Sequence, residues 1–264
     1  YSRPVTYLTW TVQSTDGASH QVQIHFDAGA ELAVNTTDQA MDFSETARDG
    51  LKVLKLGSVD QPVLMKKGDD LRIDWGYLYL VGSSKEIQAT TITIGREARA
   101  RFAATGSLPP SLTGGVPRRV SEYPAVLATL MDLGKVGSRS VSRFLVLAYD
   151  DVYSIQYFKT NLRPYWRRDG DDASALLRQS VVDYPSLVRR CAALDNRMMT
   201  ALYGEGGGRY ANLCALAYRQ CCAANKLVAD PNGQPLLFPK ENFSNGCIGT
   251  VDIIYPMGPQ FLWL

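Results

Sequence analysis

Histidine is nearly absent from this chain, with two in 264 residues, His20 and His25. Both fall in one strand-like stretch far from every cysteine, so no zinc motif of recognisable spacing can be drawn, and chemistry without a metal or other cofactor is expected. The five cysteines, Cys191, Cys214, Cys221, Cys222 and Cys247, are confined to the second half. Their odd number argues against a complete disulfide framework, and Cys214, Cys221 and Cys222 read as small core residues of a helix. An excess of charge is lacking too. The 28 Lys and Arg nearly balance 26 Asp and Glu, for a formal net charge of +2, with both signs interspersed. Such a chain has no basic stripe for a nucleic-acid partner. No apolar run approaches the roughly 20 residues of a membrane-spanning helix. No signal peptide opens the sequence, which starts at Tyr1 and stops inside an apolar run at Leu264. It reads as a piece of a longer protein.

What is present is globular in composition: 45% hydrophobic and 20% charged, over a length where one core usually gives way to two domains. Up to about Tyr157 the hydrophobic period is two. Val22, Ile24 and Phe26 alternate with polar neighbours, as a strand with one buried face demands. Asp16-Gly17 ahead of them signals a hairpin turn. Leu71, Ile73, Trp75, Tyr77 and Tyr79 repeat the alternation after a Lys-Lys-Gly-Asp-Asp turn. Further strands are expected at 51–56, 87–94, 98–103, 126–133 and 142–149. Many short strands without intervening helical patterns favour an antiparallel β-sandwich. Proline, a charge cluster and helix-capping carboxylates then arrive at 161–172, which places the junction there and divides the chain into 1–160 and 161–264.

Beyond the junction the period lengthens. Leu187, Cys191, Leu194, Met198 and Leu202 recur at steps of three and four and read as a helix core stripe, with a bend expected at Pro185. Gly206-Gly207-Gly208 reads as a helix breaker, because no lysine with serine or threonine follows at phosphate-loop spacing. Residues 210–225 are apolar nearly all round, so a helix enclosed by other helices is expected. A turn is expected at 230–235. The segment 240–256 then crowds a carboxylate, amides, a hydroxyl and a thiol against apolar sequence. Polar groups in that setting must be paired or face a cavity.

The runs MDLGKVG at 131–137, LAYDDVYSIQYF at 147–158 and LCALAYRQ at 213–220, with the closing 241–256 motif, resemble the glutaminase A family, and the similarity spans nearly the whole chain. The resemblance implies an N-terminal antiparallel β-sandwich followed by an (α/α)6 six-hairpin toroid. It also implies a secreted or periplasmic location and hydrolysis of L-glutamine to glutamate and ammonia. A twelve-helix toroid needs about 350 residues, so most of it lies outside this sequence. The piece alone is expected to be inactive, and its uncovered apolar end to promote association into an oligomer.

In such a toroid the loop at 240–250 is the natural lining of the pocket. Amide hydrolysis needs a nucleophile, a base and oxyanion donors. Cys247 or Ser244 supplies the first, Glu241 or Asp252 the second, and Asn242 and Asn245 the third. Asp252 ranks first because it matches the family's Thr-Val-Asp run; its structural alternative is a helix N-terminal carboxylate. Asn and Gly here equally suit turn geometry, and Asn242-Phe243-Ser244 also matches a glycosylation acceptor. Asp150 and Asp151, at a strand end, are candidate substrate-binding acids. As adjacent strand residues they face opposite ways, and a buried contact with an arginine such as Arg163 is the competing reading. Trp75, Tyr77, Tyr79 and Tyr153 offer either a sugar platform or sandwich core. Two other functions stay open: a six-hairpin glycoside hydrolase with two carboxylates about 5–10 Å apart, and a sandwich that binds a small molecule without turnover.

Overall fold

The computed structural model describes residues 3–112, 116–240 and 245–263. An antiparallel β-sandwich comes first. Its strands are β1 (Val5–Val12), β2 (His20–Gly29), β3 (Ala40–Arg48), β4 (Leu51–Ser58), β5 (Tyr77–Ser83) and β6 (Ile87–Ile94). After helix α1 (Gly95–Thr105) follow β7 (Arg118–Arg119), β8 (Ala125–Val136) and β9 (Val141–Asp150). One sheet has the order β1-β9-β5-β4-β3-β7 and faces a three-stranded sheet ordered β2-β8-β6.

Period-two patterning explains the layering. Leu78 and Leu80 of β5 and Leu145 and Leu147 of β9 point into the core between the sheets, meeting Leu127 and Met131 of β8. The alternate residues Tyr79, Val81, Val146 and Ala148 form a second apolar layer on the opposite face. The central strands of the larger sheet are therefore apolar on both sides, which is why β5 reads as a nearly continuous apolar run.

Three expected strand features come out differently. Residues 98–103 lie in α1, not in a strand. Their Ala and Arg content favours helix, and no β-branched residue opposes it. Gly106, at φ 64°, ends the helix by donating its N–H to Phe102 O at 2.8 Å. Small side chains let α1 lie close on the outer face of the smaller sheet, Ala98 against Val126 and Ala128. Gly17 does take a positive φ of 79°. The turn joins no hairpin, however: β1 pairs with β9 and β2 with β8, so the chain crosses there from one sheet to the other. The ladder of β5 starts at Tyr77, and residues 71–76 precede it as irregular chain. Gly76 is required at that entry. Its φ is 82°, and a Cβ there would lie 2.4 Å from the Asp150 carbonyl oxygen.

The second part begins with two short strands, β10 (Ile155–Tyr157) and β11 (Thr160–Leu162), and a single 3₁₀ turn at Tyr165–Arg167. Helix α2 (Ala173–Ala223) follows. The Asp172 carboxylate caps it, accepting the Ala175 N–H at 2.8 Å. Leu177 and Val181 cover the free face of the larger sheet, and Tyr184 stacks on Phe144 at 3.7 Å between centroids. The break in α2 falls at Gly207 (φ 71°, ψ −173°), within the glycine run, and not at Pro185. Proline's fixed φ fits a helix and costs a hydrogen bond, whereas only glycine adopts the extended positive-φ geometry cheaply.

Past Tyr184 the helix leaves the sandwich. Leu187, Leu194, Met198 and Leu202 are only half-buried and Cys191 is exposed, so the stripe is not a core. The enclosed helix expected at 210–225 is likewise uncovered among the described residues. Ala211 is buried, but Leu213 and Leu216 remain 66% and 50% exposed. All five cysteines are free thiols; Cys214 and Cys221 are half-buried and Cys222 is exposed, so these three do not form a core cluster.

The hairpin of β12 (Asn225–Ala229) and β13 (Pro235–Pro239) comes next. Its turn is the expected one, with Asp230 Oδ1 accepting the N–H groups of Asn232 and Gln234, each at 2.8 Å. Helix α3 (Val251–Trp263) runs through Pro256 and Pro259; its Gln260 touches Cys222 of α2, and its Met257 accepts from Asn225 at the start of β12.

Candidate functional site

Several chain segments converge where β9 leaves the sandwich. Asp150 and Asp151 are both buried there, and they face different partners, as adjacent residues at a strand end must. Asp150 is held by Arg167 from the 3₁₀ turn. Arg167 Nε lies 3.1 Å from Asp150 Oδ1, and Nη2 bonds the second oxygen. This two-pronged pair leaves Asp150 no oxygen without a donor. Arg163, the partner expected from sequence, instead stacks over Tyr153 at 5.1 Å and reaches its hydroxyl at 3.4 Å. The 3₁₀ turn presents Arg167, not Arg163, to the sheet end.

Asp151 accepts from Lys226 Nζ at 2.7 Å, while its Oδ1 is buried without a hydrogen-bond partner among the described residues. A second lysine belongs to the same cluster. The β12–β13 register pairs Lys226 with Phe238, and Lys240 N bonds Ala224 O at 2.7 Å. Residues 224, 226 and 240 thus share one face of the hairpin. Burial, with repulsion from Lys226, pushes the Lys240 ammonium toward the neutral amine, and Asp151 opposes this. Two lysines thus face one carboxylate, and burial weakens the charge of the second. Among the described residues the Lys240 ammonium makes no ion pair or hydrogen bond.

The turn beneath the cluster is strained and clamped. Val152, a β-branched residue, has φ 57°, a conformation that persists only where its surroundings enforce it. Trp75 Nε1 donates to the carbonyls of Asp151 and Tyr153 at 2.9 and 3.0 Å, and Tyr149 Oη donates to Trp75 O at 2.7 Å. These bonds settle the aromatic group. Trp75 spends its indole on the clamp, Tyr79 is buried with its hydroxyl pKa pushed up by burial, and Lys55 sits 3.6 Å over the Tyr77 ring. Tyr153 is overlaid by Arg163. The four make no open sugar platform.

The polar loop lies alongside. Lys240 bridges Ile248, and Asn245 bridges Asp69. Gly246 N–H donates to Gly68 O at 3.1 Å, and Gly249 N–H to Pro239 O at 3.0 Å. Asn245 Oδ1 accepts the Cys247 N–H at 2.8 Å, which is turn geometry. Cys247 is exposed, and so is Asp252 in the first turn of α3. Glu241, Asn242 and Ser244, with the glycosylation acceptor they overlap, lie outside the described residues. The fold therefore brings Asp150 and Asp151 beside the base of the loop, with Lys240 as the link. Lys226 went unrecognised in the sequence. Counting outward from the turn at 230–233 would have found it, since that count sets Lys226 and Lys240 on one hairpin face.

Two families match successive parts of the chain. A family described as a domain of unknown function (DUF5127) matches residues 1–201. A second, the glutaminase A six helical-hairpin domain, matches residues 207–264. The chain is 29% identical over 264 residues to a protein named Glutaminase A from Aspergillus oryzae, covering 98% of this chain and 38% of that protein. It is also 30% identical over 104 residues to a protein named "Probable glutaminase" from Arthroderma benhamiae, covering 39% of this chain and 12% of that one. The chain thus spans well under half the length of either relative.

Proposed function

The chain belongs to the glutaminase A family, and from that premise we propose that it is the sandwich and the opening helices of a hydrolase that cleaves the side-chain amide of L-glutamine to glutamate and ammonia. The observation that carries this reading is the match to a glutaminase along 98% of the chain. In the proposal, residues 1–160 are the sandwich domain and 161–264 the first part of an (α/α)6 toroid. The enzyme works outside the cell, uses no cofactor and needs the remaining helices to complete its pocket, so residues 1–264 alone are inactive.

The chemistry falls to the loop at 240–252. Asp252 or Glu241 takes the proton of an attacking group, Cys247 or Ser244 is the nucleophile if the reaction is covalent, and Asn242 and Asn245 steady the developing oxyanion. Lys240 adds a positive charge beside that loop suited to the α-carboxylate of glutamine. Asp150 is closed off by Arg167, and Asp151 is held by Lys226. Asp150, with both oxygens held, is then not free to act as one of the paired acids of a glycoside hydrolase.

The test is ammonia release from L-glutamine by the full-length protein. Asp252→Ala should lower kcat by roughly 10²–10⁴-fold, the usual contribution of a general base, with the melting temperature retained. Lys240→Met should raise KM with a smaller effect on kcat, as loss of ground-state binding does. A full-length protein that is silent on glutamine but cleaves an aryl glycoside would replace this reading with the glycosidase one.

A further inference from the structure

β4 and β5 pair as antiparallel neighbours, yet residues 59–76 separate them. Hairpin connections usually run about two to five residues, and loops beyond about 12–15 either serve a function or are disordered. This one is tied down. Gln61 Nε2 donates to the carbonyls of Ser58 and Gly76 at 2.8 and 3.1 Å, and its Oε1 accepts the Gly76 N–H at 2.7 Å, so one side chain closes the base of the loop. Asp74, fully buried, accepts from Lys66 Nζ at 2.5 Å and Gln39 Nε2 at 3.3 Å. Asn35 Oδ1 accepts the Arg72 N–H at 3.0 Å. Gln61, Leu64 and Asp70 are held at φ 44°, 56° and 55°, a region that residues other than glycine keep only where their surroundings enforce it.

The fixed loop reaches both parts of the candidate site. Near its end, Trp75 clamps the turn from Asp151 to Tyr153. At its tip, Asp69 forms an antiparallel bridge with Asn245, and Gly68 O accepts the Gly246 N–H at 3.1 Å. Glycine suits both sides of this contact. Gly68 has φ 105°, and a Cβ on Gly246 would lie 3.2 Å from Leu71 Cδ1. Asn245 Oδ1 in turn accepts the Cys247 N–H, and the chain then enters α3, with Asp252 in its first turn. Backbone that the sandwich holds rigid therefore sets the path of the polar loop in the helical part.

We propose that the tip of the β4–β5 connection, residues 68–71, is a positioning element for catalysis. It fixes the backbone at 245–247, so that the hydrolytic groups of the 240–252 loop meet substrate in one geometry. Gly68 is a positioning residue, acting through Gly246 and touching no substrate itself. This role rests on the reading of the 240–252 loop as the one that hydrolyses glutamine. It makes the sandwich part of the catalytic machinery, because the loop that carries the chemistry takes its place from a sandwich turn.

Kinetics and hydrogen exchange of the full-length protein test this with Gly68→Ala, using Gly17→Ala as the control. Both glycines have positive φ, 105° and 79°, and open space where a Cβ would go, so both substitutions bring backbone strain without a clash. Only Gly68 adjoins the polar loop, since Gly17 lies in the β1–β2 connection. Gly68→Ala should lower kcat on L-glutamine about ten- to a hundredfold with KM within about twofold, as misplaced reacting groups do. Amide exchange of residues 245–252, followed by mass spectrometry, should quicken about tenfold in the same variant. Gly17→Ala should change neither, at a similar melting temperature. An unchanged kcat in Gly68→Ala, or an equal fall in Gly17→Ala, overturns the positioning role. A parent inactive on L-glutamine overturns the hydrolase reading instead, and the exchange measurement then decides the contact alone: unchanged exchange in Gly68→Ala overturns that as well.

Discussion

The sandwich and the far half of α2 are both rich in apolar residues, yet they use them differently. In the larger sheet, β5 and β9 are covered on one face by the smaller sheet and on the other by Leu177 and Val181. Beyond Tyr184, the large apolar residues of α2 are half-buried or open, with Leu213 and Leu216 66% and 50% exposed. Apolar composition alone does not make a core; a second surface at packing distance does. The helix is held by its first turns, where Tyr7 Oη donates to Ser180 O at 2.8 Å and Tyr184 stacks on Phe144.

The junction between these regions should be the most sensitive point. Asp150→Ala leaves the Arg167 guanidinium, 12% exposed, without its carboxylate. Removing one partner of a buried ion pair costs about 3–5 kcal/mol, read as a lower denaturant midpoint at unchanged slope. A loss below about 1 kcal/mol would mean that the pair is hydrated and the junction loose.

Next in size is the contrast between the regions themselves. Leu80→Ala, at a fully buried position, should cost about 2–5 kcal/mol. Leu216→Ala, at a half-exposed one, should stay within about 0.5 kcal/mol. Equal losses at the two positions would show that the far half of α2 is covered in solution, and repeating the measurement in the full-length protein would locate the cover.

The smallest effect belongs to His25, between the outer face of the smaller sheet and α1. It stacks on Phe102 at 5.3 Å, and its Nε2 is buried without a partner among the described residues. Burial lowers its pKa below the ordinary 6.5, aided by Arg99 and opposed by Asp27. The unfolded chain therefore takes up the proton first. Stability should fall as pH drops through about 6.5 toward the folded pKa, and be indifferent to this group above that range. His25→Gln should flatten the decline in melting temperature between about pH 7 and pH 5. An unchanged slope would mean that other groups govern the acid limb.

Much of this was legible in the chain. The strands at β4, β6, β8 and β9 follow from alternation, the capping carboxylate from Asp172 and the helix break from the glycine run. The misreading at α1 arose because six residues that alternate in polarity satisfy either period, and only propensity separates the two. At the site, Asp150, Asp151 and the loop after Lys240 were visible as chemistry-bearing residues. Their partners were not. Choosing Arg167 over Arg163 depends on which way a 3₁₀ turn faces the sheet end, and the closeness of Lys226 to Asp151 joins residues 75 positions apart.

By itself, then, the sequence determined what is local: the period of each segment, the turns that need glycine or aspartate, the change from strand to helix between Leu162 and Ala173, and the motifs that carry the family. Tertiary structure alone decided which sheet each strand joins, which cation closes each buried acid, and which apolar helix faces find a neighbour. The division is physical. Backbone propensity and side-chain alternation act over a few residues, whereas burial and charge pairing depend on surfaces that meet only once the chain has folded.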